Sequence, residues 1–223
     1  MKEWIARISL CLGILLSVRG VHGQSVEIAI EGGAAIQTIE ETQAVLSSGW
    51  QVAIMPQLSV RLRYQFREVF GLRGGLQYLR KGGRVPVTSE EFPEAAAANG
   101  FLFLEGRYAA LNLGVYARAT PTDRVRLEGM IDVVGGFLLN GVNRNTLFPR
   151  DHPQRVIPVS NLFNDSYLAL HLGGSAAFRL SDGVWIYLQP TLEAQLNNAF
   201  RSTVFVPRFV GFVPMIGFNY ALD

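Results

Sequence analysis

The feature that most limits what this chain can become is a strict two-residue alternation of apolar and polar side chains. From Trp50 to Tyr64 the even positions read Trp50, Val52, Ile54, Pro56, Leu58, Val60, Leu62 and Tyr64, and the odd ones Gln51, Ala53, Met55, Gln57, Ser59, Arg61 and Arg63. Successive side chains of an extended chain point to opposite faces, so this is a strand with one wholly apolar face. It is also far longer than the usual strand of about five or six residues. The pattern returns at Phe70–Tyr78, Val125–Asn140, Leu168–Leu180, Val184–Asn197 and Val210–Leu222, and a shorter copy at Val26–Glu31. Around Phe101–Tyr116 the apolar positions move from even (Leu102, Leu104) to odd (Leu111, Leu113, Val115), which predicts a β-bulge near Tyr108–Ala110.

The connections alternate in length. Short turns are predicted at Gln65–Arg67, Pro121–Asp123 and Ser181–Gly183, and long loops at about 34–49, 83–101, 141–166 and 198–207. Short turns on one rim and long loops on the other describe an all-β, antiparallel up-and-down barrel of about eight strands. A soluble barrel would alternate too, with its apolar face inside. Strand length favours a membrane barrel, because crossing takes about 9–11 residues. Aromatics at strand ends, such as Trp50 with Tyr64 and Phe70 with Tyr78, suit interfacial girdles. The polar face mixes Arg, Glu and Gln with many Gly and Ala, which fills a narrow interior better than it covers a wet exterior. Prolines 56, 190 and 214 fall on the apolar face, an awkward place in a hydrogen-bonded ladder. Composition agrees: 49% hydrophobic, 17% charged, and no internal run of the roughly 20 apolar residues that a spanning helix needs.

Residues 1–23 have the form of a secretory signal peptide. Lys2 and Arg7 precede a mostly apolar Ile8–Val18, and Val21 and Gly23 stand third and first before a cut ahead of Gln24. The domain reading is therefore a signal peptide over 1–23 and a barrel over 24–223, in the outer membrane of a Gram-negative cell. Cleavage would remove the only cysteine, Cys11, and leave Lys81 as the only lysine. It would also take basic residues from 20 to 17 (Lys2, Arg7, Arg19) and acidic ones from 18 to 17 (Glu3). A neutral mature chain gives no support to a nucleic-acid-binding face.

Three segments resemble the outer-membrane β-barrel domain family of Bacteroidota-like bacteria, including PorT-like and porin-family small barrels. GLRGGLQYLRKGG (Gly71–Gly83) resembles the family's third strand, FLFLEGRYAALNLGVYARA (Phe101–Ala119) the next, and VGFVPMIGFNYALD (Val210–Asp223) the amphipathic closing strand. Two departures stand out: Ala109–Ala110 where the family carries a proline, and Leu222–Asp223 in place of a terminal aromatic. The resemblance implies fold and location and no settled activity.

Little in the chain suggests catalysis. His152 and His171 are the histidines beyond the signal. His171 and Ser175 share a face, but that face is the lumen, so a lipid-modifying enzyme is the weakest of three functional readings. Asp151, His152, Asn161, Asn164 and Asp165 share the longest loop without ligand spacing, so no metal, cofactor or catalytic residue is assigned. The informative set is the predicted lumen charges: Glu27, Glu31, Arg61, Arg73, Glu105, Arg107, Arg126, Glu128, Asp132, Arg179 and Glu193. Their signs nearly balance, whereas a selectivity ring would show one sign. Glu27, Arg61, Arg73, Arg126, Glu128 and Arg179 are expected to form a structural network in the periplasmic half. A turn at Ser181–Gly183 places His171 opposite Glu193. The expected role is a non-enzymatic barrel in contact with outer-membrane lipids. It anchors, stabilises, or binds an extracellular ligand or protein through loop 141–166, expected to be its most mobile and exposed part; the alternative is a narrow pore.

Mass spectrometry of the protein purified from membranes should give a chain beginning at Gln24. An intact residue 1 would overturn the signal reading.

Overall fold

A computed structural model describes residues 25–41, 51–86, 101–145, 156–201 and 207–222. The strands are β1 (Ser25–Glu41), β2 (Ala53–Gln65), β3 (Phe70–Pro86), β4 (Phe101–Thr122), β5 (Val125–Asn145), β6 (Val156–Pro158), β7 (Ser166–Ser181), β8 (Val184–Gln195) and β9 (Pro207–Leu222). Apart from the three-residue β6, each pairs antiparallel with its neighbour in sequence, and β1 also pairs with β9. The result is a closed eight-stranded up-and-down barrel. The connections β2–β3, β4–β5 and β7–β8 and both chain ends of the barrel lie at one rim, and the long connections at the other.

The alternation runs the opposite way to that of a soluble barrel. In β2, Ile54, Leu58, Val60 and Leu62 face out while Gln57, Ser59, Arg61 and Arg63 are buried inside. Leu111, Leu113, Ile131, Val133, Leu172, Leu188, Leu192, Ile216 and Phe218 continue the apolar exterior around the ring. An exterior this apolar around a charged interior is stable only with hydrocarbon as its outer solvent. No helix among the described residues is long and apolar enough to cross a membrane, so the crossing is made by strands.

Four details differ from the sequence expectation. β4 has no bulge near Tyr108–Ala110: it pairs with β3 in one register from Phe70↔Ala117 to Pro86↔Phe101. The irregularity lies in β5, where Arg107↔Asn140 gives way to Tyr108↔Leu138 and Leu139 is the extra residue. Leu104 therefore faces inward, packed near Phe163, and Glu105 and Arg107 fall on the outer face with Arg80. The lumen at the mouth near Phe163 is apolar, and that is why Leu104 reads as lipid-facing. Second, the β7–β8 turn is the two-residue Asp182–Gly183, with Gly183 at φ 74° and Leu180 as a bulge. Third, β1, β3 and β5 run on into the spans assigned to long loops; in β1, Gly32, Gly33, Ala34 and Ala35 mute the alternation without ending the strand. Fourth, the described end of loop 141–166 is ordered: Val156–Pro158 pairs with Val142–Arg144, and a 3-10 turn at Ser160–Leu162 delivers Phe163 fully buried into the barrel mouth. Residues 146–155, with Asp151 and His152, lie outside the described residues, as do 1–24 with the signal segment.

Leu113 lies midway along β4 and is 69% exposed. Leu113→Arg should destabilise the barrel by about 2–4 kcal/mol in lipid vesicles, the cost of a charge on the lipid face near the midplane. Urea unfolding checks this; a neutral effect would mean that this face meets water.

Candidate functional site: the charged lumen

The lumen contains three tiers of charge, each built by residues that the register brings level. Nearest the short-turn rim, Glu27 and Arg63 are partners across β1–β2, and Arg118 and Glu128 across β4–β5. Arg118 bridges the two carboxylates, with Nη2 3.0 Å from Glu27 Oε2 and Nε 2.8 Å from Glu128 Oε1. Arg63 reaches across the interior to Glu128, and Arg126 Nη1 meets Glu27 Oε1 at 2.7 Å. The Ser175 hydroxyl donates to Glu128 Oε2 at 3.1 Å. The Tyr116 ring lies 4.7 Å from the Arg63 guanidinium and 5.3 Å from that of Arg118, and Arg126 stacks 3.7 Å over Trp185. Such cation–π contacts gain strength where water is excluded.

The middle tier joins Arg61 to Glu31 at 2.5 Å, with the Ser59 hydroxyl donating to the same carboxylate at 2.8 Å. Arg73 of β3 donates two parallel bonds, of 2.8 and 2.6 Å, to Asp132 of β5. Gln189 of β8 accepts from both arginines, at 3.4 Å from Arg61 and 3.1 Å from Arg73. The upper tier is a single cation held by one carboxylate: Lys81 Nζ donates to both Glu193 oxygens at 2.6 and 2.5 Å. His171 Nε2 lies 3.1 Å from Glu193 Oε2, and Lys81 sits 5.4 Å from the centre of the Tyr167 ring. Above this tier Phe163, Ile39, Ala199 and Phe209 form an apolar cluster, and Asn164 N–H to Ala199 O (3.0 Å) ties two of the long connections together.

The expected network residues are therefore divided between tiers. Glu27, Arg126 and Glu128 meet in the lower one, and Arg61 and Arg73 in the middle one. Arg179 is not in the lumen: its side chain is 38% exposed at the rim and pairs with Asp182 of the turn at 2.6 Å. Two residues from a tight turn, it lies beyond the enclosed interior. His171 and Glu193 are direct register partners. His171 and Ser175 are not brought together as a reacting pair, since each bonds a different carboxylate in a different tier. Arg63, Arg118 and Lys81 were missing from the expected set. Each had a signal: Arg63 and Lys81 stand on the odd phase of Arg61 and Arg73, and Arg118 on the even phase of Asn112 and Tyr116.

No protein-family model matches the chain, and neither does any curated protein. Solved structures do match. Neisserial surface protein A aligns over 89% of this chain and 99% of its own with a TM-score of 0.53 and 7% identity. A major outer membrane protein of Thermus thermophilus gives 90%, 100%, 0.49 and 16%, and Ail of Yersinia pestis 88%, 99%, 0.43 and 14%. The fold, with its apolar exterior and polar filling, defines the class: an integral outer-membrane β-barrel protein.

Lys81→Met leaves Glu193 buried without its cation and should cost about 3–5 kcal/mol. Lys81→Met combined with Glu193→Gln should recover most of that loss. Urea unfolding of the two variants decides it; equal losses would mean that the pair is not coupled.

Proposed function

We propose that this protein is a non-conducting, non-enzymatic outer-membrane barrel whose working surface is the rim of long connections. The observation that carries this is the set of contacts crossing the lumen at three heights: the ion pairs Arg63 to Glu128 and Lys81 to Glu193, and between them Arg61 and Arg73, which both donate to Gln189. An eight-stranded barrel is just wide enough for its own side chains to fill. Pairs of opposite sign spend that width on each other and leave no one-signed ring for ion selection. With the barrel closed to solutes, the variable parts left are the connections between β1 and β2, β3 and β4, β5 and β7, and β8 and β9, which share one rim. A barrel that presents loops suits anchoring or the binding of an extracellular ligand or protein, with the segment around 141–166 as the first candidate surface. The finer family reading, a PorT-like small barrel, belongs to this proposal and rests on the three segments Gly71–Gly83, Phe101–Ala119 and Val210–Asp223.

Single-channel recording on refolded protein in planar bilayers tests the closed lumen. Silent membranes are expected for the native chain, and brief openings for Arg63→Ala with Glu128→Ala, which removes a crossing pair. Steady open levels from the native chain would replace this proposal with the narrow-pore reading. A change in lipid A mass on expression would replace it with a lipid-modifying enzyme.

A further inference from the structure

Arg80 of β3 and Arg107 of β4 are direct register partners on the outer face. Like charges set opposite each other across an antiparallel pair repel. Glu105, two positions before Arg107 on the same face, is shared between them. Its Oε1 accepts from Arg80 Nε and from Arg107 Nε, each at 2.8 Å, and its Oε2 accepts from Arg80 Nη2. Arg80 thus grips the carboxylate with both arms of its fork. Arg107 meets it through Nε alone among the described residues, and both terminal nitrogens of that guanidinium are left for another acceptor. The side chains of Arg80 and Arg107 are 23% and 30% exposed and that of Glu105 only 3%. Two cations share one anion, and the surface they present is cationic.

The cluster stands at a particular height on the wall. Outward Phe70 opens β3 at the short-turn rim, and Arg80 is ten residues further on. At about 3.3 Å per residue and a tilt of about 35–45°, ten steps climb roughly 25 Å, the height of the apolar band of such a barrel. Arg80 and Arg107 therefore lie at the membrane interface on the side of the long connections, the side of the outer leaflet. Asn140 of β5, exposed and the register partner of Arg107, carries the polar row onto a third strand. The next row toward the midplane reads Tyr78, Ala109 and Phe137 on the same three strands. Tyr78 and Phe137 are exposed on the apolar face, so the small Ala109 between them leaves a notch directly beneath the arginines.

From this placement we infer that the outer wall of β3–β5 binds a phosphorylated lipid of the outer leaflet, with a phosphate monoester on Arg80, Arg107 and Asn140 and an acyl chain in the notch over Ala109. A guanidinium meets phosphate oxygens with parallel, charge-assisted N–H bonds. A monoester offers three acceptor oxygens and more negative charge than a phosphodiester, which makes it the better match to a row of three donor side chains. Glu105 sets both guanidiniums in place and offsets their repulsion before the lipid arrives. In the outer leaflet of a Gram-negative cell the phosphate monoesters are those of lipid A, so lipid A is the ligand assigned. The site lies on the outside of the wall and holds whether or not the lumen conducts.

The test is native mass spectrometry of the full barrel in non-ionic detergent, titrated with bisphosphorylated lipid A, with lipid A stripped of both phosphates, and with phosphatidylglycerol. The native chain should retain bisphosphorylated lipid A more tightly than either of the others. Arg107→Gln leaves the Arg80–Glu105 pair in place and should weaken lipid A binding about tenfold, the loss of a charged hydrogen-bonding partner. Arg179→Gln, on the opposite rim, should leave it unchanged. Equal retention of phosphate-free lipid A, or an equal loss in both variants, would overturn the site. Phosphatidylglycerol held as tightly as lipid A, and lost equally with Arg107→Gln, would overturn lipid A as the ligand in favour of a phospholipid. Ala109→Trp fills the notch without altering a charge and should weaken lipid A binding several-fold, which covers the case of an arginine variant that does not refold; unchanged binding in that variant would overturn the seat proposed for the acyl chain.

Discussion

Between the two interfaces of a membrane no water is available to a backbone N–H or C=O, so each must find its partner in another strand. For a chain of amphipathic strands this has one solution, a sheet that closes on itself, and here β1 completes it by pairing with both β2 and β9. Closure at eight strands then dictates the rest. The interior is narrow enough for side chains from opposite walls to touch, so whatever polar groups the strands turn inward have to satisfy one another. The ion pairs of the lumen follow from the hydrogen-bond ring that encloses them.

Those pairs do more for specificity than for net stability. Taking an arginine and a carboxylate out of water costs about as much as their attraction returns, so a buried pair is weak grounds for a stable fold. Its effect on register is another matter. A slip of one residue in β2 would turn Arg61 and Arg63 to the lipid and bring Leu62 and Val60 inside, at about 2–4 kcal/mol for each arginine near the midplane. Glu27, Glu31, Arg73 and Asp132 impose the same condition on β1, β3 and β5. Because the partners sit on different strands, the registers are fixed jointly: Arg73 can reach Asp132, and Gln189 can reach both Arg61 and Arg73, in one arrangement of β2, β3, β5 and β8 only.

Outside the upper part of β4, which face of a strand points inward was legible in the sequence, because lipid and lumen demand opposite chemistry at successive positions. The β7–β8 register was legible too: the turn around Gly183 puts His171 opposite Glu193 even though the turn has two residues and a bulge where three were expected. Height in the barrel was not legible. Alternation gives direction and says nothing of which residues from distant strands stand level, since that depends on how the strands stagger on closure. So Arg61 and Arg73 could be placed inside, yet not in a tier apart from Glu27 and Glu128, and Arg179 could not be seen to lie past the rim. The upper lumen misled for a different reason. Phe163 and Phe209 make it apolar, so Leu104 carries the signature of the lipid face while facing in, and Glu105 and Arg107 carry that of the lumen while facing out.

The distribution of ties around the ring also separates the way the barrel is built from the way it is closed. Charged lumen residues come from β1, β2, β3, β4, β5 and β8, with His171 from β7, and β9 contributes none. Most neighbouring strands are also neighbours in sequence, so their pairing closes short loops. The β1–β9 pair joins the two ends of the barrel, and its contacts span nearly the whole chain, as Val26↔Leu222 shows. A contact of that separation carries the largest loop-closure entropy in the fold and is rewarded last. The strand with the fewest charged obligations is thus the one whose pairing with β1 spans the most chain. An arginine on the inner face of β9 would have to find its carboxylate in an interior already filled, whereas Val213, Met215 and the glycines at 211 and 217 need only shape. Gly217 makes the point: a Cβ there would come within 2.6 Å of the Tyr187 hydroxyl on β8, so the inner face of β9 is fitted to a surface that its neighbours have already set.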